Sequence, residues 1–142
     1  MTQHHAQSKS PLAGLSDPKL VRQFSYIGGK WCGAADGAAI AVTNPADGSW
    51  LGEVARLTAD ESRAAVDAAH AAFPAWAGLL PQQRARLLRR WFDLMTEHRE
   101  DLAQLMTLEQ GKPISEARGE IDYAASFIEF YAEEAKRPNI EG

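Results

Sequence analysis

The step Gln110-Gly111-Lys112-Pro113 constrains this chain most, because it stops one amphipathic helical pattern and restarts another. Glycine reaches the left-handed conformation that closes a helix, and proline presets the first turn of the next. Residues 101 to 137 therefore read as two helical patterns meeting at one interruption. Upstream, Pro81 starts a helix predicted to run without a break to Gly111. Its main stripe is Leu88, Trp91, Met95, Leu102, Leu105 and Met106, widened by Leu87, Phe92 and Leu108. Downstream, from Ile114 to about Lys136, Ile114, Ala117, Ile121, Ala124, Ile128, Tyr131 and Ala135 alternate at spacings of three and four as an apolar seam. Phe127 and Phe130 broaden it, which favours burial against more than one neighbour. The acids Glu116, Glu120, Asp122, Glu129, Glu133 and Glu134 lie mostly off this seam and read as a solvated face.

An earlier helix begins at Thr58-Ala59-Asp60-Glu61, where hydroxyl and carboxylate form a capping box. Val66, Ala69, Phe73 and Trp76 are predicted to face a core, leaving Arg63, Asp67 and His70 in water. Residues 24 to 54 carry short β-type runs, FSYIGGKW, AIAVTNPADG and SWLGEV, punctuated by turns at Gly28-Gly29, Asn44-Pro45 and Asp47-Gly48. Residues 1 to 22 mix polar residues with Pro11, Gly14 and Pro18 and read as a mobile N-terminal arm or edge segment. The expected fold is α+β: mainly three amphipathic helices with a small N-terminal β-region.

Composition removes several functions. A formal charge of −4 and a pI of 5.5, with basic residues interleaved among acids, leave no nucleic-acid footprint. No apolar run approaches the roughly 20 residues of a membrane span, and MTQHHAQSKS lacks the apolar stretch of a secretory signal, so no membrane partner is expected and the cytoplasm is the expected compartment. Cys32 is the sole cysteine, which excludes an intramolecular disulfide and a cysteine-based zinc cluster.

Individual motifs assemble no catalytic centre. His4 and His5 lack carboxylate or cysteine partners, and His70 and His98 read as surface residues; the EHRE stretch has no second histidine. IGGKWCG has the wrong spacing for a dinucleotide loop, and Gly111-Lys112 lacks the earlier glycine and following hydroxyl of a P-loop. Cys32 has no adjacent helix start or histidine to activate it and reads as structural.

From Ile27 to Lys136 the chain resembles the N-terminal portion of an aldehyde dehydrogenase, closest to the bacterial succinate semialdehyde dehydrogenases. The stretches that carry the resemblance are IGGKW, VTNPADG, AAVDAAHAAFPAW, WFDLMTEHREDLAQLMTLEQGKP and GEIDYAASFIEFYAEEAKR. It implies that residues 23 to 142 are the N-terminal portion of such a domain, part of the family's α/β fold and truncated before the dinucleotide-binding units. It also implies oxidation of succinate semialdehyde to succinate, with NAD or NADP accepting the hydride. The family's catalytic cysteine, asparagine and glutamate lie downstream in that pattern. No catalytic or cofactor-binding residue is therefore assigned here, and the chain alone is expected to be inactive and to bind no NAD or NADP.

Two further sites follow only from the resemblance. A structural sodium or potassium ion would sit at Glu109 and the backbone of Val42 and Thr43, the alternative being that Lys112 or solvent neutralises Glu109. Gly119 and Tyr123 match positions at the substrate entrance, although core packing or solvent exposure explains them equally. Implied partners are the remainder of a dehydrogenase chain or a second copy of this one, the parent enzyme being a homo-oligomer. The alternative is a non-enzymatic helical interaction module.

Overall fold

A computed structural model of the chain describes residues 11 to 137. The order of elements is two 3-10 turns (Pro11–Gly14 and Pro18–Leu20), four strands β1 (Ser25–Ile27), β2 (Lys30–Cys32), β3 (Ala39–Thr43) and β4 (Trp50–Ala55), then four helices α1 (Ala59–Ala77), α2 (Pro81–Glu97), α3 (Arg99–Gln110) and α4 (Ile114–Glu134). Among the described residues this is an α+β arrangement. His4 and His5 lie outside them.

The strands form two separate antiparallel hairpins, β1 with β2 and β3 with β4. Gly28 and Gly29 take φ values of 57° and 82° in the first turn, and Gly48 takes 73° in the second, so the glycine turn signals fall where the backbone needs them. Ala55 N–H donates to Gln23 O and Arg56 N–H to Ala38 O, which ties the segments flanking one hairpin to the end of the other. A register shift between Val42 and Thr43 bends β3 at its end.

The Thr58–Glu61 capping box opens α1 as expected. The Glu61 carboxylate also accepts from Ala35 N–H at 2.7 Å, fixing the helix start against the loop after β2. The predicted core stripe of α1 is not buried. Val66 is 68% and Phe73 62% exposed, and no residue of the helix is buried. The periodicity correctly marks an apolar face, but no described element covers it.

Pro81 occupies the first turn of α2, as expected. The helix does not continue to Gly111: it ends at Glu97, and His98, at φ −98° and ψ 18°, closes α2 and opens α3. Its N–H donates to Leu94 O while its carbonyl accepts from Leu102 N–H. Glu100 and Asp101 then fall in a new first turn, where the positive end of the helix dipole favours acids. His98 is half-buried, not a surface residue.

The core between the helices is built from alanine. Ala103, Ala117 and Ile121 form its centre, with Leu102, Met106 and Ile114 packed around them, and Ala85, Ala125 and Ala132 are also buried. Small side chains let the helix backbones approach closely, so α4 lies against both α2 and α3. The seam of α4 therefore passes through Ala125 and Ala132, whereas the expected Ala124 and Tyr131 are exposed. Leu87, Trp91, Phe127 and Phe130 are exposed too.

The acids of α4 are ion-pair partners of the other helices, not only a solvated face. Arg99 grips Asp122 with two nitrogens at 2.6 and 2.7 Å and also reaches Glu100. Arg118 forks onto the same Glu100. Arg89 of α2 bridges Glu129 and Glu133. Each exposed pair contributes little alone, but forked arginine geometry fixes how the helices cross.

Candidate functional site

The hinge after α3 is held against the β3–β4 turn. Gly111 adopts φ 78°, and a Cβ built on it would lie 2.9 Å from Pro45 Cγ. The glycine thus ends the helix and also admits the proline, a contact between two turn motifs that are far apart in sequence. Glu109, in the last turn of α3, consequently faces β3 and β4. It is itself exposed and shares a small open pocket with Val42, Leu51 and Glu53, bordered on another side by Leu12, Val21, Arg22 and Gln23. Its volume is about 40 Å³, room for a single water-sized occupant. Of the residues expected around a cation, Glu109 and Val42 are brought together, while Thr43 sits beyond the register shift and does not line the pocket.

Lys112 does not neutralise Glu109. Its ammonium pairs with Glu120 on the first turns of α4. Among the described residues no ion pair involves Glu109, and no group of three His, Cys, Asp or Glu side chains is placed to hold a metal. The pocket lining also carries Glu53 and Arg22, so a cation here would meet two carboxylates with a guanidinium beside them.

Gly119 and Tyr123 lie one helical turn apart on the exposed side of α4. Nothing stands within 4 Å of a Cβ on Gly119, and Tyr123, 66% exposed, meets Phe127 edge-on at 4.7 Å between ring centroids. Cys32 is half-buried, with its Sγ 3.7 Å from Lys30 O and no base beside it. Neither glycine turn weighed above as a phosphate loop has that geometry. Gly28-Gly29 leads into β2 instead of a helix, Gly111 N–H is taken by Thr107 O, and Lys112 is occupied by Glu120.

Sequence reasoning missed Asp101. It is 6% exposed, and its two oxygens accept from Ser16 N–H at 2.9 Å and Asp17 N–H at 2.8 Å. These bonds to backbone donors, the Ser16 one foremost, hold its carboxyl below the usual range. The only signal was an acid in the first turn of α3, which was invisible while α2 and α3 were read as one helix. Within the segment read as a mobile arm or edge segment, Leu12 and Leu15 are buried while Ser16, Pro18, Lys19 and Arg22 are exposed, and Asp101 anchors the turn between Leu15 and Pro18.

The family model described as "Aldehyde dehydrogenase family" matches residues 31–142, and the chain belongs to that family. It is 60% identical over 123 residues to succinate-semialdehyde dehydrogenase (NADP(+)) GabD of Escherichia coli strain K12, covering 87% of this chain and 26% of that protein. It is 55% identical, with the same coverage, to the glutarate-semialdehyde dehydrogenase of Pseudomonas aeruginosa. Among solved structures, an Escherichia coli NADP dependent enzyme superposes with a TM-score of 0.84 at 55% identity, over 90% of this chain and 28% of that one. The chain thus spans about a quarter of the length of these relatives.

Proposed function

We propose that the chain forms the N-terminal helical and hairpin part of a cytoplasmic, homo-oligomeric, NAD(P)-dependent dehydrogenase that oxidises succinate semialdehyde to succinate. The observation that carries this reading is the 60% identity to the Escherichia coli succinate-semialdehyde dehydrogenase across most of this chain. The glutarate-semialdehyde relative supports a second reading, in which the substrate is the longer homologue. Both aldehydes carry a carboxylate, and no described arginine is assigned to it.

The nicotinamide, when bound, accepts the hydride; this chain's own residues contribute scaffold, not chemistry. Gly119 and Tyr123 border the substrate entrance in this reading, on the open face of α4. Purified alone, the 142-residue chain is expected to give no NAD- or NADP-linked oxidation of succinate semialdehyde. Turnover abolished by a substitution within it would overturn that claim. A chimera in which it replaces the matching part of the Escherichia coli enzyme tests the scaffold role. A folded chimera that oxidises succinate semialdehyde is expected, and one that folds without turnover would count against this reading.

Glu109, with the backbone of Val42 and Thr43, is the proposed seat of a sodium or potassium ion, supported by the pocket that Glu109 and Val42 share. Its role is to neutralise an acid at the negative end of α3. Potassium is expected to raise the melting temperature of the chain, and Glu109→Gln to remove that dependence. An unchanged potassium response in the variant rules the ion out at this position.

A further inference from the structure

α1 is a 19-residue helix without one buried residue, yet it is held at both ends. At its start the Glu61 carboxylate accepts from Ala35 N–H at 2.7 Å, and at its end Arg84 donates to Ala77 O at 3.0 Å and Leu79 O at 2.8 Å. These bonds fix where the helix lies without covering its apolar stripe. Val66, Phe73 and Trp76 stay exposed on one side, with Ala69 and Ala72 beside them to let a neighbour approach closely. Asp60 and Asp67 are exposed on the other side. A helix of this length is marginal by propensity alone, and packing of its apolar face is what stabilises such a helix in a fold. Three covers are open to this face. The chain's own outer residues do not serve, because MTQHHAQSKS and PNIEG hold only Met1, Ala6, Pro138 and Ile140 as apolar side chains. A second copy meets an area limit: a face roughly 28 Å long and 10 Å wide offers about 300 Å², against about 800 Å² per partner in a stable protein pair. The remaining fold of a dehydrogenase meets neither limit. Residues 31–142 match the family model, α1 among them, and the chain covers only 28% of the Escherichia coli NADP dependent enzyme it superposes on, so most of that fold lies outside the matched part. Surface buried within one fold also avoids the loss of translational and rotational freedom that two separate chains incur.

We propose that the face of α1 bearing Val66, Phe73 and Trp76 is the seat on which the rest of an aldehyde dehydrogenase fold docks, through an apolar surface supplied by the polypeptide that follows this part in the relatives. The end bonds at Glu61 and Arg84 hold the seat in place before it is covered. The inference rests on the proposed place of this chain in such an enzyme, and not on which aldehyde the enzyme oxidises.

The test compares two molecules that share these residues: the 142-residue chain, and the full-length chimera in which it replaces the matching part of the Escherichia coli enzyme. Phe73→Ser is expected to leave the urea midpoint of the chain unchanged and to lower that of the chimera's first transition by about 1 M, the effect of emptying a packed aromatic site. Phe73→Leu, which keeps apolar bulk, is expected to restore most of the loss in the chimera. Asp67→Ser, on the opposite side of the helix, is expected to move neither midpoint. Should the Phe73→Ser chimera not fold, Val66→Ala carries the same comparison with a smaller shift. The proposal is overturned by a Phe73→Ser chimera as stable as its parent, by an equal loss in the isolated chain, by an equal loss with Asp67→Ser, or by a parent chimera that does not fold. A folded chimera without turnover counts against the enzyme reading alone, since the midpoints report the docking face whatever the activity.

Discussion

At Gly111 a φ of 78° coincides with a Cβ position 2.9 Å from Pro45 Cγ, whereas at Gly119 the helix is regular and the space beside it is empty. The two glycines therefore predict opposite outcomes for one substitution. Gly111→Ala is expected to destabilise by at least about 1–2 kcal/mol, the left-handed penalty alone, with the Pro45 clash added. Gly119→Ala is expected to stabilise by about 0.5–1 kcal/mol through reduced backbone entropy in the unfolded chain. Urea titrations of both variants measure the difference, and a shared sign would show that one of the two environments is misread. Gly111 was legible in the sequence as a helix stop. Its contact with Pro45 was not, because no local pattern announces which turn will meet a distant hinge.

The helices are joined by carboxylates whose acidity is raised by their partners. Arg118 lowers Glu100, Arg99 lowers Asp122, and the Ser16 amide is the foremost cause at Asp101. A carboxyl whose folded pKa lies below its unfolded value stabilises the fold fully above the unfolded value and loses that contribution as pH falls through the folded one. With ordinary values of 3.8 for aspartate and 4.5 for glutamate, stability is expected to be level above about pH 5 and to fall progressively below 4.5. Urea midpoints measured from pH 7 to pH 3 check this, and a flat profile through that range would remove these groups from the stability account. At this scale the capping box, the Pro81 start and the Gly111 stop were readable, being local hydrogen bonding and φ preference. The break at His98 was not, since hydrophobic periodicity runs straight across it and Glu100 and Asp101 look like ordinary helical acids.

Over the whole molecule, the exposed apolar residues fall into faces rather than scattered singles. Val66 and Phe73 project from α1, and Tyr123, Phe127, Phe130 and Tyr131 form a row on α4 with edge-on ring contacts. Contiguous apolar surface of this kind drives association. The isolated chain is expected to self-associate at micromolar concentration, with light scattering rising on dilution from denaturant. The double variant Phe73→Ser with Phe127→Ser is expected to reduce the scattering without lowering the urea midpoint, because both side chains are already exposed. A large loss of stability would mean instead that these rings pack within the chain.

The α+β composition, the turn glycines, the helix starts and stops, and the apolar stripes follow from the sequence alone, because each depends on neighbours within one or two turns. Which stripes are covered was decided only in three dimensions. Alanines at 103, 117, 125 and 132 take the core because helices approach most closely where side chains are smallest, while the larger aromatics predicted for it stay outside. The pairing of Asp101 with Ser16 and Asp17, and of Glu109 with Val42, likewise joins residues that no period or spacing connects. Such contacts are set by how α3 seats against the hairpins and the N-terminal turns, a matter of packing that a linear pattern does not encode.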